Sequence, residues 1–415
     1  MLIEKYSFGM GDRFGKEGKA QLSAIQEINK LGFNVVPVWN KSYREHTIVH
    51  TDHSSVAKEA ADAVKANGWT GNYYVDADHI GLSIVDQFID YSNFFTIDVA
   101  HFIGKVPSIE EKKDFLYRYS KYIGTLSIKG IDQSFMVTES DLELIADKFL
   151  TAIKEVKSIY DHIVAKKGAD KFIPEVSMDE CDNAQSPLEL FFILAELKHH
   201  GVEVQTIAPK FSGLFAKGVD YHGDIDQFAK EFEQDVAVVK YAIEKFGLPK
   251  SLKLSVHSGS DKFAIYPIMR KAIKKFDAGI HVKTAGTTWL EEVIGLAQSG
   301  GEGLEIAKII YEKSMSRFDE LTGPYATVLN IDKNKLPSVK QVKSWTSKQF
   351  SEALTHNQNC KDYNPSFRQV IHVGYKIAAE LGDRYIKALE ANRVIVETNV
   401  KYNLLDRHLK LLFNT

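Results

Sequence analysis

The feature that most limits how this chain can fold is an alternation: short apolar runs recur eight times, and stretches with helical periodicity lie between them. The runs are Tyr6 to Met10, Val35 to Trp39, Tyr73 to Asp78, Phe94 to Val99, Phe172 to Met178, Val204 to Ala208, Leu252 to His257 and Gly279 to Lys283. Helical partners are expected over Gly18 to Leu31, Val56 to Ala66, Glu110 to Ile123, Leu188 to His200, Ile225 to Phe246, Ile265 to Phe276 and Trp289 to Gln298. Strands alternating with helices give an α/β protein with a parallel sheet, and eight of them suggest a closed (β/α)8 TIM-type barrel.

Side-chain parity sharpens this. In the third run Val75 and Ala77 share one face, with Asp76 and Asp78 on the other. The fourth sets Phe95, Ile97 and Val99 against Thr96 and Asp98, and the fifth sets Phe172, Val176 and Met178 against Glu175, Ser177 and Asp179. The seventh opposes Leu254 and Val256 to Ser255 and His257, and the eighth opposes Ile280 and Val282 to His281 and Lys283. A parallel sheet buried on both faces reads as continuously apolar, so polar residues near the carboxyl ends mark a barrel mouth. The intervening helices disfavour the alternative, an antiparallel sheet with one solvated face.

Residues 1–300 are therefore expected to form the catalytic barrel, with a helical insertion over 124–170. Its long helix, Asp141 to Lys167, reads as a lid or side element. Residues 301–415 are expected as a C-terminal helical extension packed on the barrel. There Leu304 to Leu321, Phe367 to Leu389 and Tyr402 to Phe413 read as helices, and Pro324 to Lys348 as a polar connection.

With 52 Lys and Arg against 55 Asp and Glu in 415 residues, the chain has no net field for a polyanion, so a nucleic-acid partner is not expected. No stretch is apolar enough to span a membrane, and Glu4, Lys5, Asp12 and Arg13 interrupt any export leader. Cys181 and Cys360 form no CxxC, which fits a reducing cytoplasm, and Cys181 reads as a pocket neighbour of Glu180.

Four histidines fall at or beyond strand ends: His79, His222, His257 and His281. Singly each is most readily a hydrogen-bonded structural residue; converging in a barrel mouth they become candidate ligands for zinc, manganese, iron or cobalt. Asp78, Glu175, Asp179 and Glu180 lie beside them, placed for acid–base work, whereas Asp76 and Asp98 could equally orient histidines. Lys210, Ser258, Ser260, Lys262 and Lys283, with Asp12 and Arg13, complete the mouth, and the segment HSGSDKF suits a carboxylate or phosphate. Neither a Walker loop nor a GxGxxG follows the first strand, so a dinucleotide is not expected.

The stretches GMGDRFGKEGKAQ, PVWNKSYREH, YYVDADHIGLSIVDQFI, FFTIDVAHFIG, PEVSMDE, APKFSGLFAKGVDYHGD and KLSVHSGSDKF resemble the tagaturonate epimerase family, from about residue 6 to about residue 380. The resemblance implies a metal-dependent isomerase that interconverts D-tagaturonate and D-fructuronate. It implies Asp78 as proton acceptor, His79, His222 and His257 as metal ligands, and an acid of PEVSMDE as donor, Glu180 ahead of Glu175 and Asp179. Lys210, Ser258, Ser260, Lys262 and Glu175 are the expected substrate contacts. The two sugar acids differ at a carbon β to the ketone, whose C–H bond the carbonyl does not acidify, so a retro-aldol and aldol sequence is expected. Another metal-dependent aldolase or isomerase of sugars, or a non-catalytic carbohydrate-binding protein, would use the same barrel.

Overall fold

The computed structural model describes residues 1–414. Ten strands form: β1 (Tyr6–Gly11), β2 (Val35–Ser42), β3 (Tyr74–Ile80), β4 (Phe94–Asp98), β5 (Gly124–Leu126), β6 (Phe135–Val137), β7 (Ile173–Ser177), β8 (Thr206–Ala208), β9 (Lys253–His257) and β10 (Ile280–Thr284). Eight close into a barrel in the order β1-β10-β9-β8-β7-β4-β3-β2, every neighbouring pair parallel. These are the eight expected runs, so the TIM-type barrel is present. β5 and β6 form a separate antiparallel hairpin, and strands this short carry no readable alternation.

The barrel interior changes character from bottom to top. Ile3, Val36, Val38, Tyr74, Phe94 and Ile173 plug the amino-terminal end, each contributing about 1.5–3 kcal/mol by its burial. Above the plug the inward positions turn polar, with Ser7, Asp76, Thr96, Glu175, Ser255, His281 and Lys283 all buried. The opposite faces, carrying Phe8, Trp39, Ala77, Ile97, Val176 and Val256, pack beneath the helices.

The helices begin where side chains cap their free amides. Ser108 with Glu111, Thr138 with Asp141 and Ser186 with Glu189 form capping boxes, and Pro187 occupies the first turn of its helix. The helix Ile225–Phe246 stops at Gly247, whose φ of 66° is the left-handed C-cap that glycine adopts without strain.

The helix Glu139–Lys167 packs its buried face, from Leu142 to Ile163, on β4 and the helix Pro187–His199. It is a wall helix of the barrel and no lid. The extension is more broken than its sequence suggests. The connection holds a short capped helix, Val339–Ser344, and a second, Ser347–Leu354, starts at its end; the segment expected as one helix is Pro365–Val373, Tyr375–Leu381 and Asp383–Ala391. The closing segment Asn403–Asn414 winds as a wide π-type helix between the helices Gly18–Asn29 and Tyr266–Phe276, with Phe413 5.0 Å from Tyr6. The tail thus fills the wall where the eighth barrel helix ordinarily packs.

Candidate active site

β3 is irregular where it reaches the mouth. Its register against β4 slips between Ala77 and Ile80, and His79 lies at φ 53°, the left-handed region, which costs a side-chain-bearing residue about 1–2 kcal/mol. The bulge lets consecutive residues face the same opening: Asp78 by parity and His79 by the local kink. His79 Nδ1 lies 3.0 Å from Asp98 Oδ2 and its Nε2 lies 3.7 Å from Asp78 Oδ1.

His257, at the end of β9, faces His79 with ring centres 5.2 Å apart. Its Nε2 is 2.7 Å from Glu175 Oε1, and its Nδ1 is 3.2 Å from Asp179 Oδ1. That second approach lacks hydrogen-bond geometry, so Nδ1 is a buried nitrogen without a hydrogen-bond partner. Burial opposes a charge on either ring, but Asp78, Asp98 and Asp179 hold His79 well above its ordinary pKa, and Asp179 and Glu175 lift His257 to about 9. Burial would raise Asp179, yet His257 and His79 keep it far below its usual range.

Lys283, on β10, is the hub beneath. Its ammonium reaches Asp76 Oδ2 at 2.7 Å, Asp78 Oδ1 at 2.8 Å, Thr96 Oγ1 at 2.5 Å and Glu175 Oε1 at 3.2 Å, all buried. Three carboxylates share one cation. Burial pushes Asp76 up to about 7, while Lys283 outweighs burial at Asp78 and, with His257, at Glu175. Of the three carboxyls Asp76 is therefore the one that takes up a proton most readily, and Asp78 is held ionised.

Among the described residues two trios bring one ligand atom each within 4.8 Å of the others: His79, Asp179 and His257, and His79, Asp98 and Glu180. The first fits a divalent cation. Both of its histidines are backed by carboxylates, Asp98 and Glu175, which fix the rings in the manner of metal-site outer shells, and the orphaned His257 Nδ1 faces Asp179.

Of the other expected residues Glu180 alone joins a trio. His222 is exposed in a loop after β8, its backbone paired with Leu214, and belongs to neither trio. Glu180 is exposed beside His79 and Asp98. Lys210 is half-buried, its amide donating to Gln185 Oε1 at 2.6 Å. Ser258 donates to the Lys283 carbonyl at 3.1 Å, and Ser260 accepts from the Gly218 amide at 2.8 Å. Lys262 donates to the carbonyls of Ala216 and Val219 at 2.9 and 2.7 Å, its pKa lowered by burial to about 7. These three side chains spend their hydrogen bonds on backbone. Asp12 accepts four amides from Phe14 to Glu17, and His281 is buried beside Ser7 at 2.9 Å. Cys181 is bonded within its own loop.

Two surface depressions, of about 520 and 290 Å³, lie in the extension around Ser347 to Cys360 and at the barrel's base around Val236 to Gly279. Neither holds this chemistry. Sequence reasoning passed over Arg44, Lys217, Tyr325 and His372, which gather over the mouth but belong to no motif; their only signal is position just after strands or in the extension.

The sequence profile of tagaturonate epimerase matches residues 1–412. A tagaturonate/fructuronate epimerase of Thermotoga maritima is 29% identical over 425 residues, spanning 98% of this chain and 80% of that protein. Native and glycerol-complexed crystal structures of the fructuronate-tagaturonate epimerase UxaE of Cohnella laeviribosi superpose with a TM-score of 0.82 at 23% identity, over 99% of this chain and 82% of theirs. At that identity the likeness is one of fold.

Proposed function

The chain belongs to the tagaturonate epimerase family, and on that premise we propose that its barrel mouth interconverts D-tagaturonate and D-fructuronate. The observation that carries this reading is the pair His79 and His257, each backed by a carboxylate and both facing Asp179, with ionised Asp78 alongside. His79, His257 and Asp179 would hold a divalent cation; zinc, manganese, iron or cobalt suits that donor set. His222 is left out for its exposure. When bound, the cation supplies Lewis-acid stabilisation of negative charge developing on substrate oxygen.

The chain's own residues move the protons. Asp78 accepts the proton of the hydroxyl on the carbon to be inverted. The bond from that carbon to its neighbour on the ketone side then breaks, its electron pair passing into an enolate while the inverted carbon becomes an aldehyde. Rotation of the aldehyde and re-formation of the bond place the new alkoxide on the other face, where Glu180 returns a proton. The opposite direction exchanges the roles of the two carboxyls. Lys283 keeps Asp78 ionised for this task, and Glu175 and Asp98 orient the histidines.

One experiment tests the scheme: epimerisation of a ketohexonate deuterated at the inverted carbon, with metal analysis of the same protein and of His257→Ala. Retained deuterium is expected, together with joint loss of metal and activity in the variant while it stays folded. Wash-out of the label would replace carbon–carbon cleavage by C–H deprotonation. Full activity in the variant would remove His257 from the ligand set.

A further inference from the structure

The extension reaches over the catalytic end of the barrel. Lys217, in the loop after β8, donates its amide to the Val328 carbonyl at 2.8 Å, which draws the segment 323–328 across the mouth. Tyr325 of that segment has the Arg44 guanidinium 5.5 Å from its ring centre and the Lys217 ammonium 5.6 Å away. Arg44 follows β2, and β2 and β8 stand diametrically opposite in the barrel order. A side chain touched from both therefore roofs the opening.

Neither the exposed Arg44 nor the half-buried Lys217 is in an ion pair among the described residues, and both adjoin the half-buried ring of Tyr325. The Tyr325 hydroxyl meets that of Tyr375 at 2.9 Å, and Arg13 stacks on Tyr375 at 3.9 Å while bonding to Glu45. His372 is 1% exposed with neither ring nitrogen hydrogen-bonded. Burial and the nearby Arg13 and Lys217 hold it neutral. Its Nε2 abuts Gly286, the N-cap of the helix Thr287–Ser299 and so the positive end of its dipole. Two unpaired cations and a helix amino end, with the neutral His372 imidazole beside it, make an electropositive wall facing the acidic side of the mouth, where Asp98, Asp179 and Glu180 lie.

We propose that this wall is the carboxylate subsite: Arg44 and Lys217, held against Tyr325 by the C-terminal extension, bind the carboxylate of the sugar acid while its reacting carbons lie toward Asp78 and His79. The assignment rests on the epimerase reading only for the identity of the acid. It explains why the extension is built into the barrel, since it carries the roof residue. It also gives the cleavage step a safeguard, because the aldehyde fragment carries the carboxylate and stays tethered while it rotates.

The test compares binding and turnover of D-tagaturonate with those of D-tagatose, the neutral ketose, by wild-type protein and by Arg44→Gln/Lys217→Gln. Both residues are partly or fully exposed, so the variant should fold, and its thermal midpoint checks this. The double variant is expected to lose roughly 10- to 100-fold in affinity for the acid, the worth of a charge-assisted hydrogen bond, with tagatose affected less than about twofold. Equal acid affinity in variant and wild type would overturn the subsite. Tight acid binding by the wild type without epimerisation, lost in the variant, would overturn the proposed reaction and leave the subsite standing. No acid binding by the wild type would remove both.

Discussion

Two histidine–carboxylate clusters lie within reach of one short segment, HSGSDKF, and they do opposite things. At its start His257 belongs to the mouth, where histidine nitrogens and the Asp179 carboxylate face one another without closing hydrogen bonds. Four residues later Asp261 lies wholly buried and its carboxylate is spent internally: Oδ2 accepts from Arg368 at 2.8 Å and meets His356 Nδ1 at 3.1 Å, while Oδ1 lies 3.0 Å from His408, whose other nitrogen is 2.7 Å from the Tyr266 hydroxyl. His356, Arg368 and His408 all come from the extension, so this cluster is a strut tying it to the barrel. Residue type does not separate a site from a strut. The separation comes from whether the carboxylate is tied to a buried arginine and whether the cluster faces an opening.

The strut should give the largest effect on folding. In Asp261→Ala the Arg368 guanidinium stays buried without its carboxylate, and removing one partner of such a pair costs about 3–5 kcal/mol. Denaturant unfolding should read that loss. Asp98→Asn makes the matching change behind His79 in the mouth, and should cost about 10- to 100-fold in metal affinity or activity with little change in unfolding, as expected for a residue that orients a ligand. If the two variants exchanged phenotypes, the assignment of strut and site would be reversed.

The contrast also shows what was readable in advance. Strand and helix alternation was strong enough to fix the barrel, and parity placed Asp76 and Asp78 inward, because both follow from local periodicity. His79 was harder: on a regular strand it would point away from Asp78, and only the bulge turns it in. Asp179 was no more conspicuous than its acidic neighbours, and His222 was conspicuous by type but is exposed. HSGSDKF read as one anion-binding unit, yet Ser258, Ser260 and Lys262 bond to backbone and Asp261 to the extension. The break at Gly382, with φ 54°, and the tail's place in the barrel wall depend on tertiary packing that no window of sequence encodes.

The finest distinction between the clusters is the sign of their pH dependence, read on chelated, metal-free protein. In the mouth, burial opposes charging of His257 but Asp179 and Glu175 prevail and raise it to about 9. Its unfolded value is about 6.5, so its contribution is complete below that pH and lost as pH rises through 9. In the strut burial dominates instead, and His408 and His356 are lowered despite Asp261. The unfolded chain there binds the extra proton, so stability is intact above about pH 6.5 and erodes as pH falls below it. His257→Gln should flatten the alkaline limb alone and His408→Gln the acid limb alone. Equal flattening of both limbs by either variant would show that the two clusters titrate as one unit, contrary to the independence their different partners imply.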